Sequence, residues 1–182
     1  GSLTINPDGL RYPGLKTTGR SLRLHPTDAD ETNRRRPPHV LVVRTLARPF
    51  GYDGAQLWCS FLLRAEKVGV GNVFVQAGRT GIGKAWGDRL SVYTDRAGTM
   101  VAGKTYLIVL RYTFHKGHDL IHMWVDPIPG KQPADEDADV ITRHYDNPKD
   151  STFSICMQPY GLGVYDVDEI RLGGRYENVA PA

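Results

Sequence analysis

Between Lys104 and Phe114 the even positions Tyr106, Ile108, Leu110, Tyr112 and Phe114 are all apolar. A period of two is the signature of a strand with one face toward a core. His115–Asp119 then breaks the pattern and Leu120–Val125 resumes it, which predicts a hairpin. Val40–Val43 is short and β-branched, and Leu57–Leu63 is an apolar run that follows the turn-like Tyr52-Asp53-Gly54. Val73 and Val75 alternate with Asn72, Phe74 and Gln76, and Thr152–Met157 and Val164–Leu172 supply later strands. The series predicts roughly ten or eleven strands, no amphipathic helix and a helical content below about 10%. Many short strands with short connections point to an all-β, two-sheet antiparallel β-sandwich or jelly roll.

Composition sharpens that picture. Glycine and proline together number 32 of 182 residues, well above the average of about 12%, and they punctuate the chain too often for long helices. The length suits one domain, expected over 1–182, with Gly1-Ser2 read as a tag scar. No apolar run approaches the ~18 residues of a membrane helix. Charge is uneven: residues 1–50 carry nine basic and four acidic side chains, and residues 131–182 carry five and ten. An acidic last third argues against nucleic-acid binding over the whole surface. The cluster Arg34-Arg35-Arg36 sits before Pro37-Pro38 with no interleaved aromatic platform, so a solvated loop is expected there. Opposite charges at the two ends would suit terminal segments lying side by side. Cys59 and Cys156 lack metal spacing and lie in apolar runs, as two buried thiols or a disulfide across two strands.

Several runs, taken in order, resemble a known family. Leu57–Leu63 resembles the W-x-S-F-L-L strand of bacterial LamG-like jelly-roll domains, and Ile82-Gly83-Lys84 fits a G-K strand. Tyr106–Val109 with Met123–Pro127 is similar to the Y-L-V and L-W-V-N-P hairpin, with Asp126 where that branch usually carries Asn. The stretch Tyr165–Tyr176, with Asp168-Glu169-Ile170-Arg171 inside it, resembles the closing D-E-I-R-I-G strand. The resemblance, from about Ser21 to Val179, is to the concanavalin A-like lectin/glucanase superfamily. It implies a sandwich of two curved antiparallel sheets in a secreted or cell-surface bacterial protein, often facing glycans.

The enzymes of that superfamily carry motifs that this chain lacks. The glucanase pattern E-x-D-x-x-E, which places two carboxylates about one glycosidic bond, has no match, since Asp166 and Asp168 are followed by no suitably spaced Glu. The lyase strands Q-x-H and Y-x-K-x-G fail at Gln76-Ala77-Gly78 and at Tyr106-Leu107-Ile108. Strict alternation puts Asp168 with Ile170 and Leu172 on the core face. A buried carboxylate there needs backbone amides, an arginine or a structural Ca²⁺. Asp135, Asp137 and Asp139 begin like a calcium loop but lack its glycine and final Glu, and read as a solvated acidic loop. His115, His118 and His122 fall partly in a turn and read as no zinc site.

The residues that suit sugars lie elsewhere. With Val73, Val75 and Ala77 inward, Asn72, Phe74 and Gln76 point outward; with Leu90 and Val92 inward, Arg89, Ser91 and Tyr93 point outward. Trp86 lies between these strands, either exposed at the margin or plugging the sandwich edge. The expectation is a non-catalytic glycan-binding or adhesion-type module of a larger secreted protein, with Asn72, Phe74, Gln76, Trp86, Arg89 and Tyr93 as its site. The alternatives are a scaffold domain packing on a neighbouring catalytic domain, and an unrecognised polysaccharide hydrolase or lyase. Trp58 and Trp124, each inside a long apolar run, are expected to be buried.

Overall fold

The computed structural model describes residues 2–25, 40–69, 71–77, 80–84, 87–92, 95–145, 150–159 and 163–182. Thirteen strands run through them: β1 Ser2–Asn6, β2 Ser21–His25, β3 Val40–Phe50, β4 Gln56–Lys67, β5 Gly71–Ala77, β6 Thr80–Lys84, β7 Arg89–Val92, β8 Asp95–Thr99, β9 Thr105–Thr113, β10 His118–Val125, β11 Val140–Tyr145, β12 Asp150–Pro159 and β13 Val164–Gly173. The helical content among these residues is two three-residue 3₁₀ turns, Asp135–Asp137 and Tyr176–Asn178. Every strand pairing is antiparallel. One sheet has seven strands in the order β1-β2-β13-β4-β9-β10-β11, and the other has six in the order β3-β12-β5-β6-β7-β8. The protein is an all-β, two-sheet sandwich of jelly-roll type. The β9–β10 hairpin has Leu120 opposite Thr113 and Trp124 opposite Val109, as the alternation predicts.

Through most of β4 and β9 the seven-stranded sheet is buried on both faces, which explains why these strands read as apolar runs rather than as clean alternations. Its inner face contributes Cys59, Phe61, Leu63, Tyr106, Ile108, Leu110, Ile121, Met123, Tyr165 and Val167 to the core between the sheets. The six-stranded sheet answers with Val73, Val75, Ile82, Leu90 and Val92. The outer face of the seven-stranded sheet carries Trp58, Leu62, Leu107, Val109 and Trp124, covered by Leu10 and Leu15 from one end of the chain and Tyr176, Val179 and Ala180 from the other. The two terminal segments therefore pack together on that face. Trp58 and Trp124 are buried as expected, and their rings stack with centroids 5.6 Å apart, but they belong to this second core. Cys59 is a buried free thiol, with burial pushing its ionisation upward. The side chain of Cys156 and residues 34–36 lie outside the described residues.

Strand β13 departs from the alternation read off the sequence. Asp168 pairs with Leu62 but Arg171 pairs with Ser60, so three steps on β13 match two on β4. This β-bulge is centred on Glu169, whose φ is 49°. An extra residue reverses the faces beyond it. Tyr165 and Val167 before the bulge, and Ile170 and Leu172 after it, all pack on the inter-sheet core. Asp168 consequently does not share a face with Ile170 and Leu172. It is buried on the outer face beneath the N-terminal segment.

The same outer face holds Asp166, whose carboxylate receives two hydrogen bonds of 2.8 Å from Arg23 on β2, through Nε and Nη2. At the end of β10, Asp126 takes a φ of 58°. Asp and Asn tolerate this left-handed conformation best among residues with a side chain. Asp126 N–H donates to the Leu107 carbonyl at 2.7 Å, and its Oδ1 accepts from Leu107 N–H at 3.0 Å.

Candidate functional site

The outward face of β5–β6–β7 carries the residues that the sequence leads one to expect against a sugar. Val73 and Val75 are buried inward, and Phe74 and Gln76 stand half-buried on the opposite face. Phe74 lies opposite Gly83, and Gln76 opposite Gly81. The Phe74 ring leans on Gly81, where an added Cβ would meet its Cγ and Cδ2 at 3.0 Å. Gly83 has a φ of 145°, and a Cβ there would run into the Val73 carbonyl. Gly81 thus leaves the Phe74 ring the room that a side chain would take, and Gly83 lets the β5 backbone approach. Arg89 is exposed, whereas Asn72 and Ser91, on the same face, are buried. The outward site is accordingly narrower than the alternation suggests. Trp86 and Tyr93 lie outside the described residues.

Lys84, on the inner side of β6 with Ile82, is fully buried. Its Nζ donates to the Gly69 carbonyl and lies 5.6 Å from the centroid of the Tyr165 ring. Burial disfavours the ammonium and brings its pKa down to about 8, against the weaker opposing pull of Asp88. The unfolded chain keeps its proton up to about pH 10.4, so between these values the unfolded state binds more protons and stability rises with pH. In urea unfolding the wild type is expected to gain about 2 kcal/mol over Lys84→Met between about pH 8 and pH 10. Taking the difference cancels the buried Cys59 thiol and tyrosines, whose raised pKa values pull stability the other way in both proteins. A difference that stays flat over this range would show that the amine is not desolvated.

A second polar cluster was not predicted. Arg111 on β9 lies with its guanidinium carbon 5.6 Å and 5.8 Å from the ring centroids of Trp58 and Trp124. Its Nη2 donates to Asp135 Oδ2 at 2.7 Å and sits 3.2 Å from His122 Nδ1. The His122 ring stacks on Trp124 at 5.7 Å, and Trp124 Nε1 donates to the Ala134 carbonyl at 3.0 Å. Burial, and then the Arg111 charge, lower the pKa of His122, while Arg111 lowers that of Asp135. The one sequence signal for this cluster is a lone arginine inside the otherwise apolar run Tyr106–Tyr112. The Asp135 loop is exposed as expected, but it is tied to the sheet: Asp139 Oδ2 accepts from Val125 N–H at 2.7 Å.

The sequence leaves a structural Ca²⁺ open at Asp168 and reads no metal site at the Asp135 loop or the histidines. Among the described residues no group of three or more His, Cys, Asp or Glu side chains gathers to hold a metal ion. Asp168 accepts backbone N–H bonds of 2.7 Å on both oxygens, from Leu10 and from Glu169. Glu169 accepts from Thr18 N–H and from Arg171. Donors converge on these carboxylates, and an environment of N–H groups does not suit Ca²⁺, which wants oxygen ligands. His115 and His118 are exposed at the turn, apart from the buried His122 in role and environment. Among the described residues, no helix is long and apolar enough to cross a membrane.

Beside the second core, a cleft of about 440 Å³ is lined by Tyr12, Pro13, Lys104, Asp126 and Ile128 among others. The Asp126 carboxylate in it is already engaged by Leu107 N–H and by Lys104 Nζ at 2.6 Å. No protein-family model matches the chain, and no curated protein matches it either.

Proposed function

We propose that this chain is a non-catalytic glycan-binding or adhesion-type module of a larger secreted or cell-surface bacterial protein, binding through the outward face of β5–β7. The reading rests on one observation above all: the half-buried Phe74 ring lies against Gly81 of β6 on the outward face. A ring so placed offers a flat apolar surface to the C–H face of a sugar, much as aromatic side chains serve other amphipathic partners. Gln76 and the exposed Arg89 add an amide and a guanidinium on the same face, groups suited to hydroxyls and ring oxygens. The ordered resemblance to LamG-like members of the concanavalin A-like superfamily supports the same reading, as does the sandwich itself, although a fold alone does not fix a function. Trp86 and Tyr93 belong to the proposed site from their place in the sequence.

An open face excludes little water, so affinity should be weak, on the order of 1 mM to 10 μM, or about −4 to −7 kcal/mol. Titration calorimetry against neutral and acidic oligosaccharides tests the proposal. Phe74→Ala is expected to weaken binding about tenfold, equivalent to about 1.4 kcal/mol, with Arg89→Ala contributing less. Binding that survives loss of Phe74, Trp86 and Tyr93 together would place the site elsewhere. Silence across a broad panel would favour the scaffold role.

A further inference from the structure

The terminal segments cover only part of the outer face of the seven-stranded sheet. Where they stop, two rows of residues run across β4, β9, β10 and β11. The first row is Trp58, Arg111, His122 and Ile141, and the second is Gln56, Thr113, Leu120 and Arg143. Trp58, Arg111 and His122 are buried, Thr113 and Leu120 are half-buried, and Gln56, Ile141 and Arg143 are exposed. The corner is therefore an open sheet surface with one buried and one exposed arginine.

Arg111 is held by its two indoles and incompletely satisfied. Its Nε is buried without a hydrogen-bond partner, and its polar contacts among the described residues are Asp135 and His122, both through Nη2. A guanidinium is built for paired, parallel bonds to a carboxylate, yet Asp135 supplies one oxygen. That aspartate lies on the Asp135–Asp137 turn with its side chain more than half exposed. Its carboxylate marks the position that an anionic group from outside would take.

We propose that this corner is a second binding surface, taking a sugar chain that carries carboxylates, with Arg111 and Arg143 as its two cationic contacts and Asp135 as a built-in competitor for Arg111. The arginines stand two strands and one row apart, which is about 12 Å between their Cα atoms at ordinary strand spacing. One small anion does not reach both, whereas a chain with repeated acidic units does. His122 and Leu120 of β10 lie between them, while Thr113 flanks Arg111 on β9 and Gln56 faces Thr113 from β4, offering a hydroxyl and an amide to sugar hydroxyls. This surface is on the opposite sheet from Phe74 and does not depend on it.

The test is calorimetric titration of an oligogalacturonate at low salt against the wild type, Asp135→Ala, Arg143→Ala and Phe74→Ala. Near-ultraviolet circular dichroism checks that each variant is folded. Asp135→Ala should tighten binding about five- to tenfold by releasing Arg111, and Arg143→Ala should weaken it by a similar factor. The factors produced by Asp135→Ala and Arg143→Ala should be the same in a Phe74→Ala background, which separates this surface from the β5–β7 face. Raising the salt to about 0.5 M should abolish binding, because exposed charges are screened. The inference is overturned if Asp135→Ala weakens binding or leaves it unaltered, or if Arg143→Ala has no effect. Equal affinity for a hexaglutamate peptide would also overturn it, in favour of an acidic protein partner.

Discussion

Trp124→Ala is expected to lower the unfolding free energy by about 3–5 kcal/mol, the usual cost of truncating a large buried aromatic. Trp124 is 2% exposed and lies between the rings of Trp58 and His122. Its indole N–H is bonded to the Ala134 carbonyl, so truncation also leaves that acceptor without its partner. The loss would extend to Arg111, whose charge rests on both indoles. Trp124→Phe should recover part of the stability, because it refills volume without restoring the N–H. Chemical denaturation of both variants checks this. A loss under about 0.5 kcal/mol for the alanine variant, the range typical of surface positions, would mean that the terminal segments do not seal this face.

Arg23→Ala is expected to cost about 2–3 kcal/mol, below the ~3–5 kcal/mol of a fully buried ion pair, because Arg23 is 27% exposed and its loss lets water reach Asp166. Asp166 is 1% exposed and meets Arg23 through two parallel bonds. Without the arginine its carboxylate is left unpaired. Replacing both residues by apolar ones, Arg23→Met with Asp166→Leu, should cost much less than the single change, since no charge is then stranded. Equal losses for the single and double variants, measured by urea unfolding, would show that the pair itself matters little.

The sandwich was legible because its strands announce themselves locally. The even positions of 104–114 and the alternation of Val73 and Val75 with Phe74 and Gln76 each report their own face, and both assignments hold in the structure. What could not be read depends on residues far apart in sequence. Leu10, Leu15, Tyr176 and Val179 have no periodicity among themselves, yet together they close the second core. The Glu169 bulge is set by pairing with β4 and leaves no trace in the alternation of β13, so Asp168 was assigned to the wrong face. The Arg111 cluster joins a strand to a loop 24 residues away. In that loop Asp135 looked like one more solvated acid. Phe74 is legible as outward, but Gly81 beneath its ring emerges only when β5 and β6 are set side by side.

The joining of both chain ends over one sheet also bears on the order of events in folding. Leu10 N–H meets Asp168 across 158 positions, and the Ser60 hydroxyl meets the Val179 carbonyl across 119. Contacts between such distant segments demand loop closure before they return any stabilisation, and folds dominated by them assemble in milliseconds to seconds. The β9–β10 hairpin, with Leu120 opposite Thr113, needs no such closure and can form early. Loss of contacts that form after the rate-limiting step accelerates unfolding and leaves refolding nearly untouched. The covering of the Trp58–Trp124 pair would then act as a latch, setting how long the native state survives rather than how fast it is reached.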